Sequence, residues 1–253
     1  MRGKIYGNLD LPAVTTVGVW DPFTHHHRTL LKRLQKEASK AGLASLAVLL
    51  DPAPYSLIFG SASAPVYSDV PSRIQLIRSL GVDAVLLVRF CQRDVLAGAD
   101  KFFALLDRHV EISSLWLGYG QSLGSLREGS FAAIRQETEL RGVQLVPLPK
   151  INVKRIARSV RIALVKGGLQ DIAPRVGFYP TWSRPRDRCI RLAWRPGLYS
   201  AVPLIHPSAP LNTPAVEIEL VRSSDGFSTA PWPSSNFRYL AFTEGPARTP
   251  SNS

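Results

Sequence analysis

The sequence predicts an α/β protein in which a parallel β-sheet, covered by helices on both faces, is followed by a small unit rich in β-strands. Three observations lead to this prediction. Strand-like and helix-like runs alternate over the first 150 or so residues, and the strand-like runs are predominantly apolar rather than alternating. After Gly177 the chain changes to prolines, aromatics and short alternating runs. Uniformly apolar strands are typical of parallel sheets, because both faces of such sheets are buried.

The strand-like runs of the first part are short and aliphatic, and they cover residues 14–20, 43–50, 84–90, 114–117 and 143–147. The helix-like runs carry apolar residues at helical spacing, and they cover residues 27–42, 70–80, 99–110 and 131–141. Ligands of open parallel sheets bind at the carboxyl ends of the strands, near the point where the strand order reverses. We therefore expect a binding site among the loops after Trp20, Leu50, Phe90 and Leu117.

The sequence of the second part of the chain predicts a basic helix followed by short strands. Residues 153–166 form a candidate basic helix, and further strands are predicted at 199–202, 215–220 and 238–242. The sequence thus predicts an α/β domain over residues 1–177, a small β unit over residues 178–243 and a disordered tail over residues 244–253.

Composition narrows the class of protein. No apolar run approaches the roughly 20 residues needed to cross a bilayer, and the start of the chain lacks the pattern of a secretory signal. The two cysteines, Cys91 and Cys189, fit neither a metal-binding spacing nor a disulfide framework. We therefore expect a cytoplasmic protein with no membrane partner. The oligomeric state cannot be predicted from these features.

The positive charge of the chain is unevenly distributed. The formal net charge is +12, and residues 150–195 contain twelve Lys or Arg residues but only two acids, Asp171 and Asp187. Such a segment suits a phosphate-rich partner, namely a nucleotide, a nucleic acid or an anionic surface. It is equally compatible with a solvated basic face that has no partner.

The most unusual segment is residues 18–27, Gly-Val-Trp-Asp-Pro-Phe-Thr-His-His-His, at the end of the first predicted parallel strand. Backbone N–H groups and the helix dipole favour a phosphate at such a strand-to-helix turn, and imidazoles can stabilise charge on a leaving pyrophosphate. Adjacent histidines point in different directions, which disfavours one shared metal ion. A phosphate contact is the favoured interpretation, with a metal site or a purely structural role as alternatives.

Several of these residues fit a known motif. Gly18, Asp21 and His27 match a strand-end motif written G-N-F-D-G-V-H-x-G-H, with Thr24 at the first histidine position and His26 at the glycine. The motif belongs to the N-terminal FMN adenylyltransferase domain of the bacterial bifunctional riboflavin kinase/FAD synthetase family, which the chain resembles. The resemblance implies a Rossmann-like domain of the nucleotidyltransferase superfamily.

The resemblance continues in order along the domain. Asp51 to Pro54 match a segment after the second parallel strand, and residues 80–83 match the family's L-G-V-D. Gly118 and Arg127 lie in a stretch similar to G-x-[DN]-F-x-F-G-x-x-R-x-G. Residues 157–163 align with I-S-S-T-x-I-R, keeping Ser159 and Ile162 and carrying Ala163 in place of the final Arg. Past Gly177 only a trace of the riboflavin kinase barrel remains, and its phosphate-binding segment is absent, so no kinase activity is expected.

The resemblance implies adenylyl transfer from ATP, with Mg²⁺, to FMN, giving FAD and pyrophosphate. The implied catalytic residues are Thr24, His27 and Arg161. The implied nucleotide-binding residues are Gly18, Asp21, His26, Gly118, Arg127 and Ser159, and the implied flavin-binding residues are Asp51 and Pro54. No metal ligated by protein side chains is implied.

Two other functions stay open at the level of sequence. The substitutions at His26, Gly120 and Ala163 fall on functional loops of the family, which suits a nucleotide- or flavin-binding protein without turnover. The third and less favoured hypothesis is a nucleic-acid-binding protein that uses the basic segment at residues 150–195.

Overall fold

The computed structural model describes residues 1–53, 57, 66–95, 97–118, 123, 130–149, 158–160, 162, 164, 176, 179–185, 189–192, 197–206, 214–222, 224, 228–233 and 238–244. The chain divides into two compact units. The first unit comprises Met1–Trp20, His26–Ala62 and Ile77–Ile151, and the second comprises Asp21–His25, Ser63–Leu76 and Asn152–Ser253. The division at residues 177 and 178 that the sequence suggests stays a prediction.

A six-stranded sheet forms the centre of the first unit. Its strands are β1 (Arg2–Gly7), β2 (Ala13–Gly18), β3 (Ala44–Asp51), β4 (Ala84–Arg89), β5 (Ile112–Gly118) and β6 (Gln144–Leu148), in the order β1-β4-β3-β2-β5-β6. Strands β2 to β6 pair in parallel, as the sequence predicts. Strand β1 was not predicted, and it runs antiparallel to β4 at the sheet edge. Its residues are exposed or only partly buried, and it lacks the apolar run by which the inner strands are recognised.

Five helices with described bounds lie between residues 25 and 140: α1 (His25–Lys40), α2 (Val70–Arg78), α3 (Gln92–Val95), α4 (Ala99–Leu106) and α5 (Phe131–Leu140). Glycines end two of them as expected. Gly42 and Gly142 have φ values of 66° and 67°. The following residues, Leu43 and Val143, donate back to Ala38 and Thr138 at 2.9 and 2.8 Å, the bond that closes a Schellman motif.

The inner strands of the first sheet are buried on both faces. The first seven residues of β3 and the first five of β4 are all buried, which is the pattern that the apolar runs predict. A polar clamp joins the beginnings of these strands, because Ser45 donates to the Asp83 carboxylate from its hydroxyl at 2.6 Å and from its backbone at 2.8 Å. Asp83, the last residue of the L-G-V-D segment, therefore has a structural function.

The second unit contains a six-stranded antiparallel sheet, which confirms the predicted β-rich C-terminal part. Its strands are β7 (Thr181–Ser183), β8 (Cys189–Leu192), β9 (Gly197–Leu204), β10 (Val216–Arg222), β11 (Ser228–Pro231) and β12 (Tyr239–Glu244), in the order β7-β12-β9-β10-β11-β8. The sequence predicts β9, β10 and β12, but it misses the other three because they contain only three or four residues.

Two predicted features of the C-terminal half are described only in part. Within the candidate basic helix, residues 158–160, 162 and 164 are helical. Glu244, the first residue of the predicted tail, is paired with Ser200 as the end of β12, because the strand extends beyond its apolar residues; residues 245–253 lie outside the described residues. Within the described part of the chain, no helix has the length and apolar character that crossing a membrane requires.

Candidate nucleotide-binding site

The reversal of strand order in the first unit lies between β2 and β5. From β2 the chain proceeds to β3 on one side, and from β5 it proceeds to β6 on the other side. Gly18 ends β2 and Gly118 ends β5, so both predicted glycines stand at the carboxyl ends of neighbouring parallel strands. This is the position at which open α/β sheets bind their ligands.

Beyond β2 the chain turns sharply at Trp20. This residue is 2 % exposed and has a φ of 55°, which is uncommon for any residue other than glycine. Its indole N–H donates to the Val48 carbonyl at 2.9 Å. A Cβ atom on residue 18 would lie 3.0 Å from the indole ring. The missing side chain at Gly18 therefore leaves room for the indole.

The three consecutive histidines form the first turn of α1. His25 and His26 are exposed, whereas His27 is partly buried, with its ring 5.1 Å from that of Trp20 at an interplanar angle of 69°. The first turn of α1 contains no acidic residue, so nothing there opposes the attraction of an anion to the helix N-terminus. The helix thus presents imidazoles where the positive end of its dipole lies.

No group of three or more His, Cys, Asp and Glu side chains that could hold a metal ion is found among the described residues.

Asp51 ends β3, and its carboxylate faces the neighbouring strand. It lies 3.4 Å from the Arg89 guanidinium, and Phe90 donates its backbone N–H to the Asp51 carbonyl at 3.1 Å. The Arg89 side chain is 64 % exposed, so this ion pair is well screened. The predicted flavin contact of Asp51 stays a prediction, and Pro54 lies outside the described residues.

Asp21 belongs to the second unit, where its carboxylate binds backbone. The backbone N–H groups of Tyr67 and Ser68 donate to it at 3.0 Å. The Tyr67 side chain is 1 % exposed, and burial, followed by the charge of Asp21 and by Tyr179, raises the pKa of Tyr67 well above its ordinary value. Asp21 therefore orders residues 67 and 68; its contact with a nucleotide stays a prediction.

The segment around Asp69 was not identified from the sequence. Asp69 accepts from the Ser72 backbone at 3.0 Å at the start of α2, and from the Ser183 backbone at 2.9 Å and the Ser183 hydroxyl. Ser68 accepts from the Thr181 backbone at 3.1 Å. An Asp three residues before the bonded N–H is an N-cap signature, so the bond to Ser72 could have been foreseen. The contacts with β7 span more than 100 residues and leave no local signal.

The remaining predicted site residues lie in different elements of the chain. Thr24 is buried directly before α1, and Ser159 is exposed on a helical stretch whose next residue, Val160, is buried. Gly18, His26, His27, Asp51 and Gly118 belong to the first unit, and Asp21, Thr24 and Ser159 to the second. Arg127 and Arg161 lie outside the described residues.

Comparison with solved structures supports the fold. A crystal structure of a macrolide-efflux protein from Streptococcus pneumoniae superposes with a TM-score of 0.64, covering 96% of this chain and 90% of that one at 15% sequence identity. At this identity the likeness concerns the fold alone.

Comparison of sequences identifies the family. Bifunctional riboflavin kinase/FMN adenylyltransferases are similar over part of the chain. The protein from Escherichia coli K12 is 33% identical over 125 residues, and that from Buchnera aphidicola of Acyrthosiphon pisum is 21% identical over 162 residues. The first alignment covers 49% of this chain and only 40% of the E. coli protein. The family model for FAD synthetase matches residues 8–160, more than half of the chain. The chain belongs to the FAD synthetase family.

Proposed function

We propose that this protein is an FMN adenylyltransferase, which joins the AMP moiety of MgATP to FMN and releases pyrophosphate. The observation that carries this proposal is the position of Gly18, Gly118 and His27. The two glycines end the strands on either side of the reversal, and the histidine lies in the first turn of the helix that follows. The match of the FAD synthetase family model to residues 8–160 supports the same chemistry.

In the proposed reaction an oxygen of the FMN phosphate attacks the α-phosphorus of ATP. The bond between the α-phosphorus and the bridging oxygen breaks, and pyrophosphate leaves with that oxygen. No side-chain nucleophile is required, so catalysis consists of positioning and of stabilising charge on the phosphates. Mg²⁺ bound to ATP offsets the negative charge of the phosphates.

The first turn of α1 would supply the protein's part of this stabilisation. His27 is partly exposed and held beside Trp20, so its imidazole can donate to a phosphate oxygen with little loss of freedom. Thr24 directly precedes the helix and would assist. Ser159, Arg161 and Arg127 are proposed phosphate-binding residues on the strength of the family resemblance, as are Asp51 and Pro54 for the flavin.

A second candidate is a protein that binds ATP or flavin without turnover. It is favoured by His26, which is exposed in the first turn of α1 where the family motif has glycine. A side chain there limits the approach of a nucleotide to the backbone. We rank this function second because His27 is retained.

Incubation of the purified protein with ATP, Mg²⁺ and FMN, with chromatographic detection of FAD, tests the proposal. FAD should form in the wild type, and His27→Ala should lower kcat by about 10²–10³-fold. His25→Ala is the matched control in the same helical turn and should retain most of the rate. Absence of FAD at high protein concentration, with ATP binding intact, would replace the proposal with the second candidate.

A further inference from the structure

The solvent-facing side of α1 contains no large apolar residue. Its exposed residues are polar or basic: His25, His26, Arg28, Thr29, Lys32, Arg33, Lys36, Ser39 and Lys40. The apolar residues Leu31, Leu34 and Ala38 are buried. The apolar side of the helix is thus used within the first unit, and only the charged side is available to a partner.

Three basic residues on this side form a row, which we call the basic stripe: Arg28, Lys32 and Lys36. They follow each other at a spacing of four residues, so they share one face and stand about 6 Å apart along the axis. Among the described residues none of the three has a hydrogen-bond or ion-pair partner. The stripe therefore presents three cations over about 12 Å of rigid helix.

The neighbouring charges on α1 are engaged elsewhere. Lys40 lies 3.0 Å from Glu37, and its hydrogen bond lowers the pKa of Glu37. The Arg33 guanidinium lies over the Trp116 ring, 5.3 Å from its centroid. The one carboxylate of α1 is thus hydrogen-bonded to the last lysine of the helix, and the charge of Lys36 acts on it more weakly. A single carboxylate leaves α1 with a surplus of positive charge.

Positive charge is more concentrated in α1 than in α4 or α5. This helix has five Lys or Arg residues and one acid, whereas α4 has one residue of each sign and α5 has one Arg and two Glu. Like charges four residues apart destabilise a helix. A bound polyanion would remove this repulsion.

We propose that the basic stripe binds the phosphate backbone of duplex nucleic acid. An amphipathic helix that enters a membrane needs apolar residues on its outer face, and the outer face of α1 has none. Proteins that bind single strands stack bases on aromatic side chains, and no Phe, Tyr or Trp is exposed on α1. A rigid row of cations matches the regular phosphates of a duplex, and such contacts are independent of base sequence.

Fluorescence anisotropy with a labelled mixed-sequence DNA duplex, measured at several salt concentrations, tests this proposal. Three phosphate contacts predict a slope of log Kobs against log salt of about −2.7, and Lys32→Gln/Lys36→Gln should reduce its magnitude by about 1.8. Lys32→Glu/Lys36→Glu should weaken binding by about tenfold or more at low salt. The control Lys101→Glu/Arg108→Glu changes the net charge equally at exposed positions outside α1 and should have a much smaller effect.

The same experiment can overturn the proposal. Equal loss of affinity in the two glutamate variants would mean that only net charge matters, and absence of duplex binding would refute the stripe outright. Tighter binding to a single strand of the same length, or to anionic vesicles, would assign the stripe to that partner instead. The glutamine variant keeps the helix free of new charges, so its melting temperature and slope decide the matter if the glutamate variant unfolds.

Discussion

The two sheets differ in how their strands are buried. In β3 consecutive residues are buried, so both faces of the strand are covered. In β10 burial alternates, with Ile218 and Leu220 buried while Glu217, Glu219 and Val221 are exposed. A residue of β3 is therefore buried whichever face it lies on, and the polar Ser45 among them is hydrogen-bonded to Asp83. In the second sheet, every other residue of β10 is available for change.

The largest expected loss of stability comes from truncating a buried leucine on either face of β3. Leu46 and Leu49 are both fully buried and lie on opposite faces, since they are three residues apart. Leu46→Ala and Leu49→Ala should each lower the free energy of unfolding by about 2–5 kcal/mol, measured by hydrogen exchange in peptides from this sheet. If either change cost less than about 0.5 kcal/mol, burial of both faces would be contradicted.

In β10, truncating one residue on each face of the strand should lower the free energy of unfolding by unequal amounts. Ile218 is 4 % exposed and Val221 is 58 % exposed, and they lie on opposite faces of the strand. Ile218→Ala should cost about 2–5 kcal/mol, whereas Val221→Ala should stay within about 0.5 kcal/mol. Hydrogen exchange in peptides covering β9 and β10 measures both. Equal costs would remove the difference between the sheets.

A smaller effect is expected at the end of β2. A Cβ atom at residue 18 would lie 3.0 Å from the Trp20 indole, so Gly18→Ala should cost about 1–3 kcal/mol through overpacking. The cost should fall in a Trp20→Ala background, because the indole that is crowded is then gone. Equal costs in the two backgrounds, measured by urea unfolding, would show that Gly18 is required for another reason.

The smallest effect concerns alkaline stability of the second unit. Burial raises the pKa of Tyr67 above its ordinary value, so the folded state keeps a proton that the unfolded state loses. The stabilising contribution is full below the ordinary pKa of 10.0 and is lost as pH rises through the folded pKa. Tyr67→Phe should flatten the fall in unfolding free energy above about pH 10, and an unchanged slope would contradict the assignment.

The parallel strands of the first sheet are predictable from the sequence because each of them is a short run of mostly apolar residues. The helix ends at Gly42 and Gly142 are also predictable, because the left-handed backbone conformation that ends a helix favours glycine. Strand β1 is not predictable in this way, because edge pairing with β4 requires only backbone and leaves its side chains exposed or only partly buried. Short strands such as β7 depend on partners far along the chain.

The candidate site is predictable to a smaller extent. The position of Gly18, Gly118 and His27 follows from strand order and motif together. The bonds from Tyr67 and Ser68 to Asp21 do not, because they join residues more than 40 positions apart. The packing of Trp20 on Val48 depends on a positive φ that nothing local requires of a tryptophan.

The central claim is that the turn after β2 supports adenylyl transfer, and isotope transfer tests it most directly. Two preparations of ATP, labelled at the α-phosphate or at the γ-phosphate, are each incubated with the protein, Mg²⁺ and FMN. We predict that the α-label appears in FAD, that the γ-label appears in pyrophosphate, and that both transfers depend on His27. Label that stays in ATP, or that passes from the γ-position to the flavin, would contradict the proposed function.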